Sequence, residues 1–234
     1  MNHNKNITRI KSVHNALGDL RDKVVFVGGA VVSLYAERAR EEVRETDDVD
    51  ILVEVYTHPQ YAELEEKLRS IGFENDVYAK FVGRYKLPGI IVDVMGLDEK
   101  ILGFANRWYN EAFHQAVNYT IDEQNTVRIF TAPYFLASKL EAFKNRGKNK
   151  DGEYDGRMSD DFHDIVFLLV YRNSIWTEIE ELPEDALKSF IFEELAKFLK
   201  NPYLEEWIDA HAPHYSPVSH YIVIPQLKKL LKQG

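Results

Sequence analysis

A mixed α+β fold is predicted from this sequence: a mixed β-sheet with flanking helices, followed by a helical C-terminal region. Three observations predict it. Short apolar runs closed by glycine or turn residues recur through the first half, as in "VVFVGG" and "IIVDVMG", and runs of that length read as strands. Stretches with helical periodicity separate them, in the order strand, helix, strand, hairpin, which suits a mixed rather than a purely parallel sheet. From Ala132 onward the apolar spacing is almost wholly helical. Two regions follow, residues 1–131 as a core and 132–234 as a helical region.

Each element has its own justification. Residues 7–20, "ITRIKSVHNALGDL", put Ile7, Ile10, Val13, Leu17 and Leu20 at the spacing of an amphipathic helix. "VVFVGG" is a short buried strand ending in glycines. "AVVSLYAERAREEV" reads as a helix with Glu and Arg on its outer face, and "DILVEVY" as the second strand. "PQYAELEEKLRSIG" is a helix with proline near its start and Gly72 just past its end. "YAKFVGRYKL" and "IIVDVMG" form a hairpin through Pro88-Gly89, and "FHQAVNYTID" and "TVRIF" are one or two further strands. Helices are expected at about 133–147, 159–172, 183–200 and 219–233. The polar, glycine-containing "KNRGKNKDGEYDGR" between the first two is a loop.

Whole-chain numbers restrict the function classes. A chain of 234 residues, 45% hydrophobic and 29% charged, is of ordinary globular composition and long enough to bury a sizeable core. The absence of cysteine removes disulfides and thiolate metal sites and suits a reducing compartment. "MNHNKNITRI" lacks the apolar centre of a signal peptide, and no apolar run reaches membrane-spanning length. A bacterial-type cytoplasmic location without membrane association is the expectation. A net charge of −9 argues against indiscriminate nucleic-acid binding, while leaving room for a local basic patch.

The acids carry the chemistry. In "ETDDVDILVEV", Asp48 and Asp50 are two apart on a strand and so project to the same side. Two carboxylates that close repel unless one is protonated or a cation lies between them. A hard divalent cation such as Mg²⁺ prefers oxygen ligands; the plain alternative is a solvated strand end. Asp93 lies inside the apolar "GIIVDVMG", where a charge requires a metal or an ionic partner such as Arg84. Upstream, "VFVGGA" passes from strand through two glycines into a helix start, which gathers backbone N–H groups suited to phosphate, or else is an ordinary tight turn. One or two divalent ions on three carboxylates beside a phosphate cradle would equip phosphoryl or nucleotidyl transfer.

"VGGAVVSLYAERAREEVRETDDVDILVEV" resembles the opening motif of the polymerase-β-like nucleotidyltransferases: a glycine pair, a helix, then Asp-x-Asp on the next strand. "RETDDVDILV" and "YFLASKLEAFKNRG…RMSDDFHDIVFLL" resemble more narrowly the AbiEii/AbiGii group of bacterial toxins. The resemblance spans about residues 22 to 172. It implies a nucleotidyltransferase-like fold in which residues 132–234 complete the nucleotide site, and a transferase that uses Mg²⁺ or Mn²⁺ and a nucleoside triphosphate. Gly28 and Gly29 would bind the triphosphate, Asp48 and Asp50 would ligate metal, and Asp93 would be the third carboxylate and a base toward the acceptor hydroxyl. Lys139 and Arg146 would reach the phosphates, with Asp161 and Asp164 as the acidic signature of the next helix. Many members carry Ser where this chain has Gly29, and Ser33 is the substitute hydroxyl. The implied acceptor is tRNA or another RNA, and the implied protein partner is an antitoxin. The alternative is a catalytically inactive module of the same fold in a toxin–antitoxin or related complex.

The helical half reads two ways without that resemblance. Leu136, Leu140 and Phe143 make a core stripe, and Lys139 and Arg146 share one side of the same helix. Their charges suit phosphates or a solvated face. Asp161 and Asp164 suit ion pairs with Lys139 or Arg146 that lock two helices together, the role favoured for Asp164. His211, His214 and His220 are too irregularly spaced for zinc. Lys144, Arg146, Lys148 and Lys150 read as a solvated loop before an RNA-binding one. The aromatics of "NRWYNEAF", with Tyr134, Phe135, Phe162 and Phe167, read as core, and Tyr85 as a candidate for stacking on a base.

Overall fold

The computed structural model of the chain describes residues 2–37, 43–103, 105–211 and 219–233. They fall in two compact units, Met1–Leu34 with Glu42–Thr131 and Tyr35–Glu41 with Ala132–Gly234.

The first unit is built on one mixed seven-stranded sheet. Helix α1 (Asn2–Ala16) is followed by a 3₁₀ helix (Gly18–Lys23), strand β1 (Val24–Val27), a second 3₁₀ helix (Gly29–Tyr35) and β2 (Asp48–Val53). Then come α2 (His58–Ser70), β3 (Glu74–Asn75), β4 (Arg84–Leu87), β5 (Ile90–Gly96), α3 (Glu99–Leu102), α4 (Tyr109–His114), β6 (Val117–Asp122) and β7 (Asn125–Ile129). The strand order is β3-β4-β5-β2-β1-β7-β6. β2 runs antiparallel to β1 and parallel to β5, and β1 runs parallel to β7. The sheet is therefore mixed, as the element order predicts.

Local chemistry explains most boundaries. Ile10 and Val13 are buried along α1 and Leu17 just past its end, before Gly18 at a φ of 54°. Thr57 caps α2 reciprocally with Gln60, a capping box. The β4–β5 hairpin turns at Gly89, whose φ of 73° a side-chain-bearing residue adopts only with strain. Its first strand begins at Arg84, later than Tyr78, because the preceding residues form turns.

Three local expectations are corrected. The helix expected over 30–43 is a 3₁₀ segment over its first residues; Ala30, Val31, Val32, Ser33, Leu34 and Tyr35 are all buried, so no solvent face exists to make it amphipathic. Residues 38–42 of that expectation lie outside the described residues. "FHQ" begins no strand: Phe113 and His114 close α4. Tyr85 stacks on no base. It is fully buried in the core, with its hydroxyl bonded to Tyr61 and Glu65.

The second unit is helical: α5 (Ala132–Arg146), α6 (Asp160–Tyr171), α7 (Ile175–Glu180), α8 (Ala186–Leu199), α9 (Leu204–Ala210) and α10 (His220–Gln233). Leu136, Leu140 and Phe143 are buried as the stripe predicts. Phe143 and Phe162 meet each other at 5.3 Å, and both pack on Phe198 and Trp207. Ser159 caps α6 by accepting from the Phe162 N–H. No described helix is long and apolar enough to cross a membrane.

Candidate metal centre

Register assembles the centre. Asp50 is paired with Val27 of β1 on one side and with Asp93 of β5 on the other. Asp93 is in turn paired with Arg84 of β4. Paired residues in a sheet share a face, so Arg84, Asp93 and Asp50 form a row across three strands. Asp48, two residues before Asp50, joins the same face. One carboxylate oxygen from each of Asp48, Asp50 and Asp93 lies within 4.8 Å of the others.

Arg84 is a cation of this group. Its Nε donates to Asp93 Oδ1 at 2.7 Å and an Nη to Asp93 Oδ2 at 2.6 Å. The same Nη is 3.7 Å from Asp48 Oδ2. The hydrogen bond to Asp93 is the main cause holding the guanidinium pKa above its ordinary value, with smaller contributions from Asp48 and Asp50. The ionic partner expected for Asp93 is present, and two further carboxylates, Asp48 and Asp50, lie beside it. Converging hard oxygen donors are the donor set of Mg²⁺ or Mn²⁺, and the three carboxylates fit such an ion.

The glycine pair has a specific steric role. Gly28 has a φ of 74°, and a Cβ there would stand 1.8 Å from Asp50 Oδ2. The Asp50 carboxylate thus lies against the Gly28 backbone. A Cβ on Gly29 would stand 2.5 Å from an Arg44 Nη and 2.9 Å from Thr46 Cγ2. Glycine in place of serine therefore lets Arg44 and Thr46 approach the turn. The segment beyond is a seven-residue 3₁₀ helix, so the long helix expected to aim its N-terminus at phosphate is not there. Ser33 Oγ is buried and has no hydrogen-bond partner among the described residues.

A clamp not foreseen from the sequence fixes the approach to β2. Asn6, wholly buried, donates to the Arg44 carbonyl at 3.0 Å and accepts from the Thr46 N–H at 3.2 Å. Arg9 donates to the Thr46 carbonyl, and the Thr46 hydroxyl donates to the Asp48 carbonyl at 3.1 Å. Asn at that point of an amphipathic helix reads as polar surface, so its sequence gave no signal.

Within the second unit, the basic residues of α5 are engaged. Lys139 pairs with Asp164 at 2.6 Å and Asp161 at 3.5 Å. Arg146 forks onto Asp161 at 2.6 and 2.9 Å. Asp161 and Asp164 are almost completely buried, so these ion pairs lock α5 to α6. An open cavity of about 480 Å³ nearby is lined by Arg146, Lys148 and Lys150 but also by Asp155, Asp160 and Asp161, a balance that offers no net attraction to a phosphate backbone. His211 contacts the Gly156 carbonyl at 2.6 Å, and burial lowers its pKa. His220 pairs with Asp209, and His214 lies outside the described residues.

No protein-family model matches this chain, and no curated protein does. Among solved structures it is similar to an antigenic nucleotidyltransferase-like protein from Paracoccidioides brasiliensis, at 19% identity over 87% of this chain and 91% of that one, with a TM-score of 0.49. It is also similar to the Elizabethkingia meningoseptica CdnE cyclic dinucleotide synthase with GTP and Apcpp, at 14% identity over 95% and 90%, with a TM-score of 0.31.

Proposed function

We propose that this chain is a Mg²⁺- or Mn²⁺-dependent nucleotidyltransferase, moving a nucleoside monophosphate from a nucleoside triphosphate to an acceptor hydroxyl. One observation carries the reading: Asp48, Asp50 and Asp93, from two adjacent strands, converge within 4.8 Å beside the Gly28 turn. Asp48 and Asp50 would hold the ion with Asp93, and the ion would withdraw charge from the phosphates and the attacking oxygen. The acceptor oxygen bonds to the α-phosphorus, the bond to the bridging oxygen of the β-phosphate breaks, and pyrophosphate leaves. The hydroxyl proton would pass to Asp93 or to water. Each Asp93 oxygen accepts one N–H from Arg84 and keeps a second lone pair for that proton. Gly28 and Gly29 let Asp50 and Arg44 close on the turn, where a side chain would collide with them. The AbiEii-type resemblance supports an RNA or tRNA hydroxyl as acceptor and an antitoxin protein as partner.

The test is transfer of labelled nucleotide from each of the four triphosphates in Mn²⁺ or Mg²⁺ to total RNA and to cell lysate. Transfer is expected from at least one, and its loss in Asp48→Ala/Asp50→Ala. Transfer that persists in that variant refutes the reading. A second reading, a binding module of the same fold without catalysis, is favoured by the closed Arg84–Asp93 fork. Metal-dependent triphosphate binding by calorimetry, with no transfer to any acceptor, would select it.

A further inference from the structure

We propose that Arg44 is a phosphate-binding residue, taking the outer oxygens of a nucleoside triphosphate whose reacting phosphate lies at the acidic centre. The inference rests on the nucleotidyl-transfer reading above and names a cation that receives the substrate. The glycine turn is flanked by opposite charges. On the Gly28 side, Asp50 Oδ2 lies 1.8 Å from where a Cβ would stand; on the Gly29 side, an Arg44 Nη lies 2.5 Å from the corresponding point. Arg84 stands at the other end of the acidic row, on β4, so Arg44 is the guanidinium that reaches the turn. Arg44 is half-buried, and its backbone is fixed without any ligand. The wholly buried Asn6 donates to the Arg44 carbonyl at 3.0 Å and accepts from the Thr46 N–H at 3.2 Å, while the Thr46 hydroxyl donates to the Asp48 carbonyl at 3.1 Å. One short segment thus carries both the cation and Asp48 and sets their spacing before a substrate arrives, which lowers the cost of binding. In the proposed reaction the α-phosphorus lies at the ion. Oxygens of the phosphate chain that pass Gly28 toward Arg44 therefore belong to the pyrophosphate half. A guanidinium has several N–H donors in a rigid fork, so it can keep a bond within the protein and still bind a phosphate oxygen. There it would meet the charge that builds on the departing pyrophosphate. Of the phosphate contacts expected from the sequence, the long helix start is replaced by a 3₁₀ segment, and Lys139 and Arg146 are engaged by Asp161 and Asp164 within the second unit.

Calorimetry of the native chain and its Arg44 variants tests this, with Mn²⁺ alone, with pyrophosphate in Mn²⁺ and with each of the four nucleoside triphosphates in Mn²⁺. Loss of a charge-assisted contact predicts about ten- to a hundredfold weaker binding of pyrophosphate, and of the triphosphate that the native chain binds, in Arg44→Gln. Arg44→Lys, which keeps the charge but not the fork, should lose less. Arg44→Met serves if the Gln variant fails to fold. Mn²⁺ without phosphate should bind the neutral variants no more weakly than the native chain, because a positive charge near the acids has been removed. Pyrophosphate affinity that is unchanged in the neutral variants, or that falls together with Mn²⁺ binding, would overturn the role of Arg44 and leave the nucleotidyl-transfer reading standing. A native chain that binds neither pyrophosphate nor any triphosphate in Mn²⁺ would remove that reading and this inference together.

Discussion

Gly28→Ala separates backbone strain from carboxylate displacement. At Gly28 both act: φ is 74°, and the new Cβ would stand 1.8 Å from Asp50 Oδ2 and 2.7 Å from its Cγ. Gly89 supplies the control, because its φ is 73° and a Cβ there meets nothing within 4 Å. Left-handed backbone costs a side-chain-bearing residue about 1–2 kcal/mol, which both variants incur. Only Gly28→Ala must also push the Asp50 carboxylate out of its row, and overpacking of that kind adds about 1–3 kcal/mol. The expected losses are therefore about 1–2 kcal/mol for Gly89→Ala and roughly 2–5 kcal/mol for Gly28→Ala, read from denaturant midpoints. The metal response should divide them further. An ion at a hundredfold excess over its Kd stabilises by about 2.7 kcal/mol, or roughly 5–11 °C in melting temperature for a cooperative unit of this size. Gly89→Ala should keep that Mn²⁺-dependent rise, and Gly28→Ala should lose it. A Gly28→Ala protein with the full rise, or no less stable than Gly89→Ala, would show that Asp50 is not held against the turn in the way described.

Three other substitutions have definite outcomes. Gly29→Ser should lower stability by about 1 kcal/mol without raising triphosphate affinity, since its Cβ crowds Arg44 and Thr46; melting curves and calorimetry report the two quantities. Asn6→Ala leaves the Thr46 N–H and the Arg44 carbonyl without the bonds they now make to Asn6 and should cost about 1–3 kcal/mol in urea unfolding. Lys139→Met strips the buried Asp164 and Asp161 of a cation and should cost about 3–5 kcal/mol. Adding Asp164→Leu should restore part of it, and if the double variant is the weaker of the two, the ion pair is not what holds α5 to α6.

The strands and long helices were legible because their signals are local. "VVFV" has no polar residue to expose and became the buried β1, and the Pro88-Gly89 turn marked its hairpin directly. The misses come from elements too short to show a period and from packing that is not local. α7 and α9 are only six and seven residues long, too short for a helical period to repeat. The 3₁₀ segment after β1 carries Val31, Val32 and Leu34, which suit a helix by composition, but its burial on every side is decided by neighbours distant in sequence. Tyr85 had the residue type of a stacking platform; its place in a core with Tyr61 and Glu65 depended on how the β4–β5 hairpin sits against α2.

The acidic centre was legible residue by residue, but its geometry was not. Asp48 and Asp50 are joined by strand periodicity alone, which any reader of "DDVDILV" can apply. Asp93 is 43 positions after Asp50 in the chain, and only the parallel pairing of β2 with β5 sets them opposite each other. A shift of that register by one residue would turn Asp93 to the other face of the sheet, leaving two carboxylates instead of three. The register is fixed by burial: Val49, Ile51, Val92 and Val94 are all wholly buried, and slipping either strand would exchange these apolar side chains with the acids. The same hydrophobic alternation that makes β2 and β5 strands therefore aligns their acids, and brings Arg84 into line from β4. An Asp93→Val substitution keeps the strand pattern while deleting the third ligand, so the sheet should persist, and Arg84 would then lose the carboxylate that holds both of its nitrogens.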